Sequence, residues 1–214
     1  MKSLLLQLLL LTTALAQSPW ESEVAAYEAK ERTHPVEAGG IVFNGSSSIR
    51  LWEVGKSFPN LPVVNHGIGG STIPENTALV ERLIFPLAPR TIVFYAGDND
   101  IAKGHAPEQI VEDWKNYVET VRAKLPEVKI IYLSIKPSPA RWALWPKAQA
   151  ANALIKAHGE TLKNVKFIDL STVMLGEDGQ PLGELFREDQ LHLKPESYER
   201  WVKLLLPEIA PPQR

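Results

Sequence analysis

Residues 91–134, TIVFYAGDNDIAKGHAPEQIVEDWKNYVETVRAKLPEVKIIYLS, carry the reading on which the fold depends. Thr91–Tyr95 is a short run of β-branched and aromatic residues that stops at Gly97 and a polar cluster. Ile110, Val111, Trp114, Tyr117, Val118, Val121 and Leu125 then recur at helical spacing. Lys129–Ser134 is a second apolar run. Strand, helix and strand in that order make a parallel pair, because the helix returns the chain to the edge where the first strand began.

Outward from this unit the same alternation continues. Further strands are expected at Gly40–Asn44, Pro62–His66 and Lys166–Asp169, each rich in Val, Ile or Phe and bounded by Gly, Pro, Asn or Asp. Helices are expected from Ser18 to about Arg32, at Pro146–Leu162, and at Pro195–Leu206 with Pro207 as the stop. The first has the form of a capping box, Ser18-Pro19-Trp20-Glu21, with proline at the first helical position. Five buried-type strands alternating with helices predict one α/β domain with a mainly parallel sheet and helices on both faces. Neither a repeat nor a linker interrupts it.

Composition narrows the chemistry. A formal net charge of -2 over 214 residues offers no basic excess to neutralise phosphates, which argues against nucleic acid. With no cysteine there are no disulfides, thiolate metal sites or cysteine nucleophile. The start is a separate matter: Met1-Lys2, an apolar run from Leu4 to Leu15, and Ala14-Leu15-Ala16 form a secretory signal peptide pattern. The run is shorter than the roughly 20 residues that span a bilayer. Cleavage after Ala16 is expected, giving a signal peptide at 1–16, a single domain at 17–214, and a secreted or periplasmic protein without membrane insertion.

In open parallel sheets, ligands bind beyond the carboxyl ends of the strands. Four clusters fall there: Asn44 to Ile49, Asn65 to Thr72, Ala96 to Asp100, and Asp189 to His192. A serine, an asparagine, a glycine-rich turn and an acid-plus-histidine pair are what a serine hydrolase needs. Asp189 and His192 are three apart, so one helical turn places carboxylate and imidazole on the same face. The oxyanion needs donors, for which Gly70 and Asn99 are candidates. Each cluster alone also has a plain structural reading as a helix cap or turn. His34, His105 and His158 read as surface residues and His66 as structural packing. No HExxH or similar metal-ligand spacing is present, and neither metal nor cofactor is expected.

Together and in this order, the four clusters resemble the conserved blocks of the SGNH (GDSL-type) hydrolase family. Phe43-Asn44-Gly45-Ser46-Ser47 is similar to the first block, with Ser47 in the nucleophile position. Asn65 to Thr72 resembles the second, which places Gly70 at the oxyanion glycine. Gly97-Asp98-Asn99-Asp100 resembles the third, with Asn99 as the oxyanion asparagine. Asp189-Gln190-Leu191-His192 resembles the D-x-x-H block and completes a triad of Ser47, Asp189 and His192. Ser46 stands where the family has an acid before the serine. The wider stretch G-S-S-S-I-R-L-W is similar to a bacterial subgroup akin to platelet-activating-factor acetylhydrolase-like esterases. The resemblance implies a flavodoxin-like three-layer α/β/α sandwich.

The expected activity is hydrolysis of small carboxylic esters through an acyl-enzyme, with Ser47, Gly70 and Asn99 as the oxyanion hole. Alternatives are a carbohydrate O-acetyl esterase, an acyltransferase, or a non-catalytic ligand-binding domain on the same scaffold. Arg141, Trp142 and Trp145, on a proline-stiffened loop after the fourth strand, are candidates for substrate binding or for packing the loop down. Trp52 is open between pocket and core, and Trp114 and Trp201 fall on apolar helical faces. No long insertion follows any strand, so a shallow cleft for short acyl chains is expected.

Overall fold

The structure, a computed structural model, describes residues 18–210; the expected signal peptide lies outside them. Five strands form the sheet: β1 (Ile41–Gly45), β2 (Val63–Gly67), β3 (Thr91–Tyr95), β4 (Lys129–Leu133) and β5 (Val165–Ile168). Their order is β2-β1-β3-β4-β5 and every pair is parallel, so the expected mainly parallel sheet is wholly so. The chain steps outward from β1 to β2 and then returns to the other side of β1 with β3. That reversal opens a crevice at the carboxyl ends of β1 and β3.

Apolar side chains alternate between two cores with the period of an extended chain. Val42, Ile92, Phe94, Ile130 and Tyr132 face one side, where α4 (Ile73–Leu83), α6 (Pro107–Lys124) and α7 (Trp145–Glu160) pack. Ile41, Phe43, Val93, Tyr95, Ile131 and Leu133 face the other, covered by α2 (Ser47–Arg50), α3 (Val54–Ser57) and α8 (Tyr198–Ile209). The central strands are apolar at almost every position because both faces are buried. Trp114 and Trp201 are core residues as expected. Trp52 joins them, buried and stacked on Tyr198 with ring centroids 5.0 Å apart.

Two helix ends differ from expectation. Helix α1 spans Glu21–Thr33 with Trp20 at its cap and no capping side chain. Glu21 does not reach back to Ser18; Arg82 holds its carboxylate at 2.7 Å. At the other end Pro207 does not stop α8, which runs on to Ile209. Proline there forfeits one bond near the helix end, while Ile209 is buried in the core and Ala210 N–H still donates to Leu206 O at 2.9 Å.

Candidate active site

The first wall of the crevice is a sharp turn. Gly45 ends β1 with φ +136°, and any Cβ there would collide with the backbone of Tyr95. The chain can therefore lie against β3, where Ser46 N–H donates to Tyr95 O at 2.8 Å, and then begin α2 at Ser47. That short helix is pinned from two sides. Asn65 Nδ2 donates to Ile49 O at 2.6 Å and Trp52 O at 2.8 Å, and the Tyr198 hydroxyl donates to Ser48 O at 2.7 Å. Ser46 and Ser48 point inward and are fully buried, whereas Ser47 Oγ lies 2.9 Å from His192 Nε2.

His192 and Asp189 share a turn, though not the helical turn expected. Gln190 has φ +54°, and Asp189 Oδ1 accepts from the N–H groups of Leu191 and His192, each at 2.9 Å. This is an Asx turn, in which the side chain stands in for a backbone acceptor. It leaves Oδ2 2.6 Å from His192 Nδ1. Burial pushes the Asp189 carboxyl up, but the hydrogen bonds from the His192 ring and the two amides outweigh it and hold the group below the usual carboxylate range. An ionised Asp189 accepts from Nδ1–H, so Nε2 carries the lone pair and accepts from the Ser47 hydroxyl.

The opposite wall comes from β2 and β3. Gly70 sits in the loop after β2 with φ +74° and open space where a Cβ would project, so the backbone conformation, not crowding, calls for glycine. The loop is clasped by α1: Trp20 Nε1–H donates to Gly69 O at 2.8 Å, Glu23 accepts from Gly69 N–H at 3.1 Å, and the Tyr27 hydroxyl donates to Gly67 O at 2.7 Å. After β3, helix α5 (Asp98–Ala102) presents Asn99, whose Nδ2 donates to Ser71 O at 3.1 Å. Its neighbour Asp100 is fully buried and accepts from Ile73 N–H at 3.0 Å, tying α5 to the start of α4. Burial pushes the Asp100 carboxyl up to about 6.

The three loop residues expected to bind substrate have separate surroundings. Trp145 is buried in the core at the start of α7, and Trp142 is partly buried and stacked on it at 6.0 Å between centroids. Arg141 turns inward, with Nη2 donating to Asn99 Oδ1 at 2.9 Å and Nη1 3.1 Å from Asp98 Oδ2. The sequence assigns no separate role to Asp98, which lies within the third cluster, or to Lys136. Both are buried, with Lys136 Nζ 3.3 Å from the Asp98 carboxylate and 3.1 Å from the Tyr95 hydroxyl. A lysine three positions beyond the end of β4 is the available signal.

His66 packs as expected, buried between Glu31 at 2.5 Å and Leu83 O at 2.7 Å. His34 is exposed, while His105 and His158 are partly buried. Among the described residues, Asp100, His105 and Asp113 place ligand atoms within 4.8 Å of one another, close enough to hold a cation. None of these is bonded to Ser47, Asp189 or His192.

Carboxylate, imidazole and hydroxyl in series can draw a proton from the hydroxyl, and the facing wall offers N–H donors to an oxygen that becomes negative. The GDSL-like Lipase/Acylhydrolase family matches residues 50–200, beginning just after Ser47. The alpha1 subunit of platelet-activating factor acetylhydrolase IB from Pongo abelii is 26% identical over 163 residues, covering 72% of this chain and 68% of that protein. A GDSL-like lipase from Bacteroides thetaiotaomicron superposes with TM-score 0.75 at 20% identity, over 88% of this chain and 97% of that one. An acetylxylan esterase from Geobacillus stearothermophilus does so with TM-score 0.64 at 14% identity, over 82% and 96%.

Proposed function

Since the chain belongs to the GDSL-like lipase/acylhydrolase family, we propose that it is a serine esterase acting on small carboxylic esters, with Ser47, His192 and Asp189 as its triad. The observation that carries this is the unbroken series from Asp189 Oδ2 through His192 to Ser47 Oγ, with contacts of 2.6 and 2.9 Å. Ser47 Oγ attacks the ester carbonyl carbon while its proton passes to His192 Nε2. The carbonyl oxygen becomes an oxyanion that accepts from Ser47 N–H, Gly70 N–H and Asn99 Nδ2–H. Ser47 opens α2, where N–H groups have no partner within the helix. Collapse expels the alcohol, protonated by His192. Water, deprotonated by the same imidazole, then releases the acid from the acyl-serine. No step calls for a metal or cofactor.

An acetyl substrate is favoured, because two of the named relatives, an acetylhydrolase and an acetylxylan esterase, both carry acetyl in their names. An O-acetylated sugar is therefore the second reading for the alcohol half. Export through the apolar leader at 1–16 is part of the proposal; among the described residues no helix is long and apolar enough to cross a membrane. A fluorophosphonate probe tests the core of it. One equivalent should bind and abolish p-nitrophenyl acetate hydrolysis, and an unlabelled chain would point to the non-catalytic alternative. Comparing p-nitrophenyl acetate with acetylated xylo-oligosaccharide under identical conditions separates the two substrate readings.

A further inference from the structure

Asn99 offers two orientations of its amide, and only one of them presents N–H to a developing oxyanion. Two partners decide between them. Arg141 Nη2 donates to Oδ1 at 2.9 Å, and Ser71 O accepts from Nδ2 at 3.1 Å. Reversing the amide would set NH2 against a guanidinium and one carbonyl oxygen against another. In the observed orientation one Nδ2 hydrogen is held by Ser71 and the second is free to point into the crevice.

The guanidinium is itself held from behind. Nη1 lies 3.1 Å from Asp98 Oδ2, and the same oxygen lies 3.3 Å from Lys136 Nζ. The Lys136 and Asp98 side chains are 1% and 6% exposed, so these charges meet with little water between them. Two cationic side chains thus share one carboxylate behind Asn99. The segment is fastened to the other half of the site as well, since Ala140 N–H donates to Gln190 O at 3.1 Å, within the turn that carries Asp189 and His192.

We propose that Arg141 is a positioning residue rather than a substrate-holding one: forked between Asp98 and Asn99, it sets the Asn99 amide for the oxyanion and backs it with positive charge. This rests on the serine esterase reading above. Nη2 is bonded to Asn99 and Nη1 faces the Asp98 carboxylate, so the guanidinium is already engaged by the protein on the side of the oxyanion asparagine. Lysine cannot replace it, because one ammonium on a flexible stem does not bridge both partners in a fixed plane.

The test compares Arg141→Ala, Arg141→Lys and Ser47→Ala on p-nitrophenyl acetate, with active sites counted by fluorophosphonate titration. Arg141→Ala should lower kcat per titrated site about 10–100-fold with KM changed less than about threefold. Arg141→Lys should remain closer to the alanine variant than to the parent. The inhibition constant of a small alkylboronic acid, whose serine adduct is tetrahedral and anionic, should rise in step with the fall in kcat. A raised KM with unchanged kcat would show that Arg141 holds substrate and overturn the proposal. So would a lowered melting temperature with kcat per site unchanged, or full recovery by lysine. If Ser47→Ala keeps its turnover, the esterase site is misassigned and both readings fall; if Ser47→Ala is dead and Arg141→Ala normal, only the role of Arg141 falls.

Discussion

Ser47 differs from Ser46 and Ser48 by its neighbour: an imidazole nitrogen at 2.9 Å faces Ser47, while its two flanking hydroxyls are buried without a partner. Ser47→Ala should therefore lower kcat by several orders of magnitude at unchanged stability, and peptide mass analysis should place a fluorophosphonate adduct on Ser47. An adduct on either flanking serine would transfer the role. Asp189→Asn keeps the shape of the turn but gives His192 Nδ1 an uncertain acceptor, so kcat should fall steeply, on the order of 10³–10⁴-fold, with KM nearly constant. A small loss would mean that the backbone alone orients the ring. At this scale the sequence spoke unevenly. Residue types, chain order and the family resemblance point to Ser47, His192 and Asp189, which the fold brings into contact, because each role admits few side chains. The surroundings of Arg141 were illegible, because Asp98 and Asn99 lie some 40 positions away and meet it only across β3 and β4.

Among the elements, α5 couples chemistry to stability through Asp100. Its carboxyl, pushed from 3.8 to about 6 by burial, accepts from the first turn of α4. A carboxyl raised in this way favours the fold while protonated; the contribution is complete below about pH 3.8 and lost as pH rises through 6. Asp100→Asn retains the acceptor and cannot ionise. Relative to the parent, the variant should gain stability between pH 4 and 7, by ~3 kcal/mol at most. Urea unfolding of both proteins at the two pH values checks it, and parallel curves would refute it. The elements also mark where local reading fails. The strands were legible to within a residue or two because burial on both faces demands uninterrupted apolar runs. The turn from Asp189 to His192 was not, since a spacing of three suits a helix and an Asx turn alike. Pro207 reads as a stop, yet the burial of Ile209 keeps α8 going for another half turn.

For the whole molecule, the sheet order places the Ser47 and Asn99 loops on either side of the reversal between β1 and β3. The site opens outward: the Asp189 side chain is 48% exposed and that of His192 25%. Trp145 packs into the core at the start of α7. An acyl chain that outgrows such a site extends into water, where further methylenes gain little of the ~0.8 kcal/mol that burial brings each. On p-nitrophenyl esters, kcat/KM should peak between acetyl and butyryl and decline by octanoyl. A rate still climbing at decanoyl would refute the open site.

Helix α1 grips the Gly67–Gly70 loop with an indole, a carboxylate and a phenol, and Val24 is its one fully buried residue. Glu31 meets the buried His66 ring, whereas the bonds that Glu21 and Glu28 accept from Arg82 are charged and partly exposed, and salt weakens such pairs. Release of this helix should then precede cooperative unfolding of the sheet. In a urea titration at high ionic strength, turnover should fade while far-ultraviolet ellipticity is still near its native value, and salt should widen the interval between the two curves. Loss of activity would then report the unclasping of the first helix, and the midpoint of an activity assay would understate how firmly the rest of the protein is folded.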